Sequence, residues 1–317
     1  MRDEADGADE QPILRRLSLG FALLVGLTFV LVVLGALVRA HDAGLACPDW
    51  PLCFGQVIPA MNLEVAFEWS HRALAGTLSV VFLVLCTLAL RDRDARERGG
   101  LLMALAAGLL AIQVLLGALT VWQLLASWTV TLHLLTGNAF AATLLLLALR
   151  LGRSGRSGSV EVTGTSRLLV SAAALLLGAQ IALGGLVSSS FAGLACPEWP
   201  SCNGGSWYPS WRGGVGLHLL HRTNGYLLVC VLGIAALALR RPRPLARALL
   251  AAFGLSLLQV GVGVSNVLLG LPVEVTGLHS ALAAALVLLL TFATHEAWST
   301  AAATHRARLP GPMAEVH

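Results

Sequence analysis

The chain is built from long apolar runs separated by short polar intervals. Each run is close to the roughly 20 residues that a helix needs to cross a bilayer core. Eight such runs lie at about 17–40, 69–90, 101–122, 129–149, 167–189, 216–239, 246–268 and 275–297. They predict an all-α integral membrane protein with eight transmembrane helices. The interval from Arg150 to Arg167 is rich in Gly, Ser and Arg and reads as a flexible linker. The chain then divides into a tail at 1–16, a four-helix bundle at 17–149, a linker at 150–166, a second four-helix bundle at 167–297 and a tail at 298–317.

The two bundles repeat one another. Gly44-Leu45-Ala46-Cys47-Pro48-Asp49-Trp50-Pro51-Leu52-Cys53 returns as Gly193-Leu194-Ala195-Cys196-Pro197-Glu198-Trp199-Pro200-Ser201-Cys202, at an offset of 149. His71-Arg72 returns as His221-Arg222 at an offset of 150, and His133 as His279 at an offset of 146. A duplicated unit with two histidines and two cysteines sets architecture and chemistry together, and it predicts two pseudo-symmetric halves.

Composition agrees with a membrane protein. Of 317 residues, 56% are hydrophobic and 12% charged, about half the ~25% charged residues of soluble domains. All 21 basic residues are arginine. The net charge of +4 comes with no aromatic-basic patch, which argues against nucleic-acid binding. The apolar run after Arg16 is longer than a signal-peptide core and shows no small-residue cleavage site, so it reads as a retained first span.

Arginine sets the orientation. One side collects Arg15, Arg16, Arg91, Arg93, Arg96, Arg98, Arg150, Arg153, Arg156 and Arg167, then Arg240, Arg241, Arg243, Arg247, Arg306 and Arg308. The other holds only Arg39, Arg72, Arg212 and Arg222. The expected arrangement is a multi-pass protein of the cell membrane with both termini cytoplasmic and the cysteine loops, 41–68 and 190–215, outside.

That outer compartment permits disulfides. Cys47 with Cys53, and Cys196 with Cys202, can each close a short proline-stiffened loop. Such bridges serve either as structural clips or as redox-active pairs, and the sequence leaves both open. Cys86 and Cys230 fall inside spans and read as small packing groups.

Ionisable side chains in membrane spans are functional hypotheses by default, although one histidine can also serve as an interhelical hydrogen-bonding group. His71 and His133 lie near the outer ends of spans two and four, and His221 and His279 repeat this in spans six and eight. Two imidazoles facing each other inside a bundle can fill both axial positions of a haem iron. Gly76, Gly137 and Gly225 follow three of these histidines by about one turn and would let a flat macrocycle approach the backbone. Arg39, Arg72, Arg212 and Arg222 are candidates to meet haem propionates, or else interfacial snorkelling residues.

The halves differ at one position. Glu68 stands one turn before His71 on the same helix face, and the matching position in the second half is His218. Glu68 reads as a general base at a reactive site or as a helix-start carboxylate favoured by the macrodipole. His218 reads as an interfacial residue or a competing ligand. His41 and Asp42 have no counterpart in the repeat, and His295, His305 and His317 read as surface groups.

On these residues the chain resembles the haem A synthase family. The likeness rests on Gly35-Ala36-Leu37-Val38-Arg39, the first cysteine loop, Glu68-x-x-His71-Arg72, Leu132-His133, the second cysteine pair, His221-Arg222 and His279, and covers about residues 17 to 297. The resemblance implies two four-helix bundles and an oxidoreductase that converts the C8 methyl of haem O to the formyl group of haem A. It implies that His71 and His133 hold the substrate haem, that His221 and His279 hold a haem b cofactor, and that Glu68 acts at the reactive site. Cys47 with Cys53 would be the pair linked to activity. Implied partners are haem O, haem A, haem O synthase, terminal oxidase assembly, membrane lipid and an electron acceptor that the sequence does not name. The rival readings are a di-haem b-type electron-transfer protein, a haem carrier and a membrane thiol oxidase.

Overall fold

The computed structural model describes residues 3–152, 162–238 and 243–308. Among them the chain forms eight long helices: α1 (Asp3–Ala40), α2 (Leu63–Arg91), α3 (Arg93–Trp122), α4 (Ser127–Leu151), α5 (Gly164–Ser189), α6 (Gly213–Ala238), α7 (Arg243–Leu268) and α8 (Val273–Arg308). All eight contain a stretch long and apolar enough to cross a membrane. The chain is an all-α integral membrane protein. Most of the linker expected at 150–166, the last residues of the C-terminal tail, Arg240, Arg241 and His317 lie outside the described residues. The stretch expected as an N-terminal tail is helical from Asp3 and continues into α1.

Helix starts differ from the apolar pattern where polar caps extend them. α2 begins at Leu63 rather than 69, because the side chain of Asn62 accepts a hydrogen bond from the amide of Val65 at 2.8 Å. α3 begins at Arg93 rather than 101, because Asp92 accepts from the amide of Ala95 at 2.7 Å. Such caps satisfy backbone donors that a helix start otherwise leaves unpaired. Apolar periodicity cannot register them.

α1 packs on α2 and α4, and α3 on α2 and α4. α5 to α8 pack among themselves in the corresponding way, while α1 and α4 meet α5 and α8 at the seam between the two groups. Each group has its own apolar core, and each core fills one end only. The first gathers Phe21, Leu24, Leu78, Phe82, Met103 and Leu144, with Phe82 and Phe140 edge-to-face at 5.4 Å. The second gathers Val170, Leu177, Leu232, Leu249, Leu286 and Leu290. Both occupy the ends of the helices remote from the cysteine loops, and at the loop-side ends smaller clusters gather round each disulfide, with Val65 in the first half and Leu219 in the second. Leu23, Leu101, Leu175 and Leu237 stand exposed on the outer faces of the helices, as lipid-facing positions require.

The hairpins at the loop-side ends repeat too. Leu125 (φ 60) follows α3 and Leu271 (φ 63) follows α7, both in the left-handed region. Their amides donate to Thr120 O at 2.8 Å and Asn266 O at 2.7 Å, closing each helix end. A Cβ on Gly44 would lie 3.2 Å from Cδ1 of Leu125, and one on Gly193 would lie 2.9 Å from Cδ1 of Leu271. The glycine that opens each cysteine motif thus seats the hairpin leucine beside it.

Cys86 is buried in the first core, as expected of a small packing group, whereas Cys230 is exposed on the outer face of α6. The expectation of packing fails for Cys230 because that face of α6 meets no other helix among the described residues.

Candidate functional site

The loop-side end of each group holds a pair of imidazoles. His71 on α2 faces His133 on α4 with ring centroids 6.4 Å apart and planes inclined at 58°. His221 on α6 faces His279 on α8 at 6.5 Å and 60°. Two rings sharing one metal atom through bonds of about 2 Å have centroids about 6 Å apart, so both pairs have the spacing of two axial ligands. The Nδ1 atoms of His71, His133 and His279 are buried without a hydrogen-bond partner. A buried unpaired polar atom costs about 1–3 kcal/mol. The opposed rings, spaced as two ligands of one iron would be, fit a haem.

Three glutamines missed by the sequence reading attend the pairs, and one of them, Gln259 on α7, donates to the His279 carbonyl at 2.9 Å. The amide nitrogen of Gln113 lies 3.2 Å from Nε2 of His133, and the Gln113 carbonyl accepts from the Thr136 hydroxyl. In the second pair the amide nitrogen of Gln180 lies 3.2 Å from Nδ1 and 3.4 Å from Nε2 of His221, and Asn224 donates to its carbonyl at 2.7 Å. Gly137 and Gly225 lie against these amides, while Gly76 faces open space. Glutamines inside apolar spans were the available signal.

Each cysteine pair is joined: Cys47 to Cys53 and Cys196 to Cys202. The acidic residue of each motif ties its own loop. Asp49 accepts from the amides of Phe54 at 2.6 Å and Gly55 at 2.7 Å. Glu198 accepts from Ser201 Oγ at 2.7 Å and from the amides of Gly204 at 2.9 Å and Gly205 at 3.1 Å. The Gly55 amide holds the Asp49 carboxyl below its ordinary range, and the Ser201 hydroxyl does the same for Glu198, followed by the Gly205 and Gly204 amides.

Arg72 and Arg222 reach up to these loops. Arg72 donates to the carbonyls of Asp49 and Leu52 at 2.6 Å each and of Cys47 at 3.1 Å, and also to Glu68. Arg222 donates to the carbonyls of Ser201 at 3.0 Å, Cys196 at 2.7 Å and Glu198 at 2.9 Å. Arg39 donates to Asp42 at 3.2 Å and to the Ser188 carbonyl at 3.1 Å, and its guanidinium stands 4.3 Å over the ring of Phe191. The sequence left Arg39, Arg72, Arg212 and Arg222 open between meeting haem propionates and snorkelling to the interface. The structure turns Arg72 and Arg222 to the loop backbones and Arg39 to the second half of the chain.

Glu68 is 5% exposed. Its Oε2 accepts from the Cys47 amide at 2.8 Å and its Oε1 from Arg72 at 2.5 Å. The carboxylate is thereby bound to the first disulfide loop from the helix that carries His71. At the matching place in the second half, buried His218 turns Nδ1 to the Ala192 carbonyl at 3.0 Å and stands outside the His221–His279 pair. His41 stacks on Phe67 at 4.3 Å, outside either pair.

The sequence model of the COX15-CtaA family, described as cytochrome oxidase assembly protein, matches residues 20–67 and 61–291. The chain belongs to this family. It is 32% identical to a haem A synthase of Shewanella oneidensis, over 92% of this chain and 98% of that one. It is 32% identical to a haem A synthase of Halalkalibacterium halodurans, over 82% and 90% of the two chains. A haem A synthase of Exiguobacterium sibiricum is 28% identical over 90% and 97%. The family match runs across both imidazole pairs and both disulfide loops, so the whole membrane portion is shared with proteins of this kind.

Proposed function

We infer that the chain is a haem A synthase, a membrane oxidoreductase that converts haem O to haem A by oxidising the C8 methyl to a formyl group. The observation that carries this reading is the difference between two otherwise matching halves. Both present opposed histidines beneath a disulfide loop, and only the first carries a buried carboxylate, Glu68, one helical turn before a paired histidine, where the second has His218. A symmetric electron relay has no evident need for one carboxylate.

In this reading residues 17–149 form the substrate bundle and 167–297 the cofactor bundle, related by pseudo-symmetry. His71 and His133 hold haem O, and His221 and His279 hold haem b. Both termini face the cytoplasm and the cysteine loops face outward, by the distribution of arginine. When bound, the iron porphyrins supply the electron chemistry. The chain's own residues orient and handle protons. His71 and His133 fix the substrate in depth and angle. Glu68 takes up protons released as the methyl carbon is oxidised, with water supplying the oxygen. Arg72 and the Cys47 amide hold that carboxylate in place. A haem held by His221 and His279 would supply a one-electron relay toward an acceptor outside the chain. Haem O would come from haem O synthase, and haem A would go to terminal oxidase assembly.

The test is mass spectrometry of pigment extracted from the purified protein. Haem O, its hydroxylated form or haem A alongside haem B is the expected result. Two haem B per chain without any modified porphyrin would favour the di-haem electron carrier instead.

A further inference from the structure

Each of the four paired imidazoles lies on a glycine of the neighbouring helix. A Cβ built on Gly35 of α1 would stand 2.9 Å from Cε1 of His71, and one on Gly117 of α3 would stand 3.3 Å from Cε1 of His133. In the second half, a Cβ on Gly184 of α5 would stand 3.1 Å from Cε1 of His221, and one on Gly263 of α7 would stand 2.9 Å from Cε1 of His279. The spacing is that of the repeat: Gly35 to Gly184 is 149 residues and Gly117 to Gly263 is 146. The even-numbered helices supply the histidines and the odd-numbered helices supply the glycines.

We propose that Gly35, Gly117, Gly184 and Gly263 are positioning residues, each the floor on which one imidazole rests so that its ring meets its opposite. This rests on the haem reading of the two pairs. The physical reason is contact distance. Carbon atoms attract at about 3.5–4.0 Å and repel steeply below that. A methyl group at 2.9 Å from Cε1 must be relieved by the ring. The ring is not a loose side-chain end: it is enclosed in the bundle, and the Nδ1 of three of the four is fully buried. It relieves the clash only by swinging about χ1 and χ2, which takes its nitrogens away from the line joining the pair.

The structure supplies its own controls. Gly178 on α5 and Gly261 on α7 sit on the same two helices, and a Cβ at either meets nothing within 4 Å. Helix propensity and helix length are therefore the same for test and control.

The experiment compares G184A and G263A with G178A and G261A in the full-length protein, purified with the haem it acquires in the cell. Absorption and electron paramagnetic resonance spectra report the iron's ligands, and a redox titration reports its potential. The wild type is expected to show a six-coordinate low-spin haem with two histidine ligands. G178A and G261A are expected to match it. G184A and G263A are expected to lose a measurable share of the low-spin form and to shift in midpoint potential, G263A more than G184A because its contact is tighter. If G263A does not accumulate, G184A carries the same comparison. Spectra of G184A and G263A identical to wild type overturn the proposal, and so does equal disturbance in all four variants. A wild type that carries no haem overturns the haem reading itself, a result the variants do not enter.

Discussion

The amide of Cys47 donates a 2.8 Å hydrogen bond to Oε2 of Glu68. A disulfide-bonded residue thereby holds Glu68, the buried carboxylate whose place in the second half is taken by His218. Replacing Glu68 with glutamine keeps an acceptor for that amide and removes the charge. E68Q should keep haem bound and lower haem A formation by at least about 100-fold, the usual range for a general base. The ratio of haem A to haem O in extracted pigment measures it. Turnover near the wild-type rate would take Glu68 out of the mechanism.

The two disulfides should not be equivalent. A bridge of this kind contributes about 2–4 kcal/mol to stability, so C47S and C196S should both lower the thermal midpoint. Only C47S also loosens the support of Glu68. Haem A formation should therefore fall much further in C47S than in C196S. Equal losses, assayed in membranes at matched protein level, would separate the loop from the chemistry.

The loops carry a pH dependence of defined sign. Hydrogen bonds to Asp49 and Glu198 favour their charged forms and hold both carboxyls below their ordinary values. The order they give the loops is fully present above the ordinary carboxylate range and is lost as pH falls through the depressed values. Amide hydrogen exchange at Phe54, Gly55, Gly204 and Gly205, corrected for its intrinsic pH dependence, should show protection decreasing on acidification. In D49N the step at Phe54 and Gly55 should vanish, leaving that at Gly204 and Gly205 unchanged.

The histidine pairs should separate by half. H71A should lose the substrate porphyrin and retain the absorption of the haem held in the second bundle. H279A should lose that absorption, together with product formation. Pigment content per chain and optical spectra distinguish the two. Loss of both haems in H71A would mean that the halves do not bind independently.

The span positions were legible because membrane helices announce themselves by length and hydropathy. The imidazole pairing was anticipated from His71, His133, His221 and His279 occupying like places in the repeat. What escaped was everything decided by side-chain direction. Arg72 and Arg222 follow their histidines by one residue, yet they turn to carbonyls some twenty residues away. Gln113, Gln180 and the four glycines belong to other helices than the rings they touch, and no spacing along one helix reveals a partner on the next. Gly76 follows His71 by about one turn in sequence, yet a Cβ there would meet nothing within 4 Å among the described residues. The Gly35 contact lies across the α1–α2 boundary, where packing alone decides.

Arg39 meets the carbonyl of Ser188, 149 residues away, and Ser188 is the residue that occupies its own place in the second copy. The cation therefore belongs to the first copy alone, and the second copy offers it a backbone acceptor beside an uncharged side chain. The halves have thus become complementary rather than interchangeable. A tandem of two first halves would bring a second arginine to the end of α5, where this chain has Ser188.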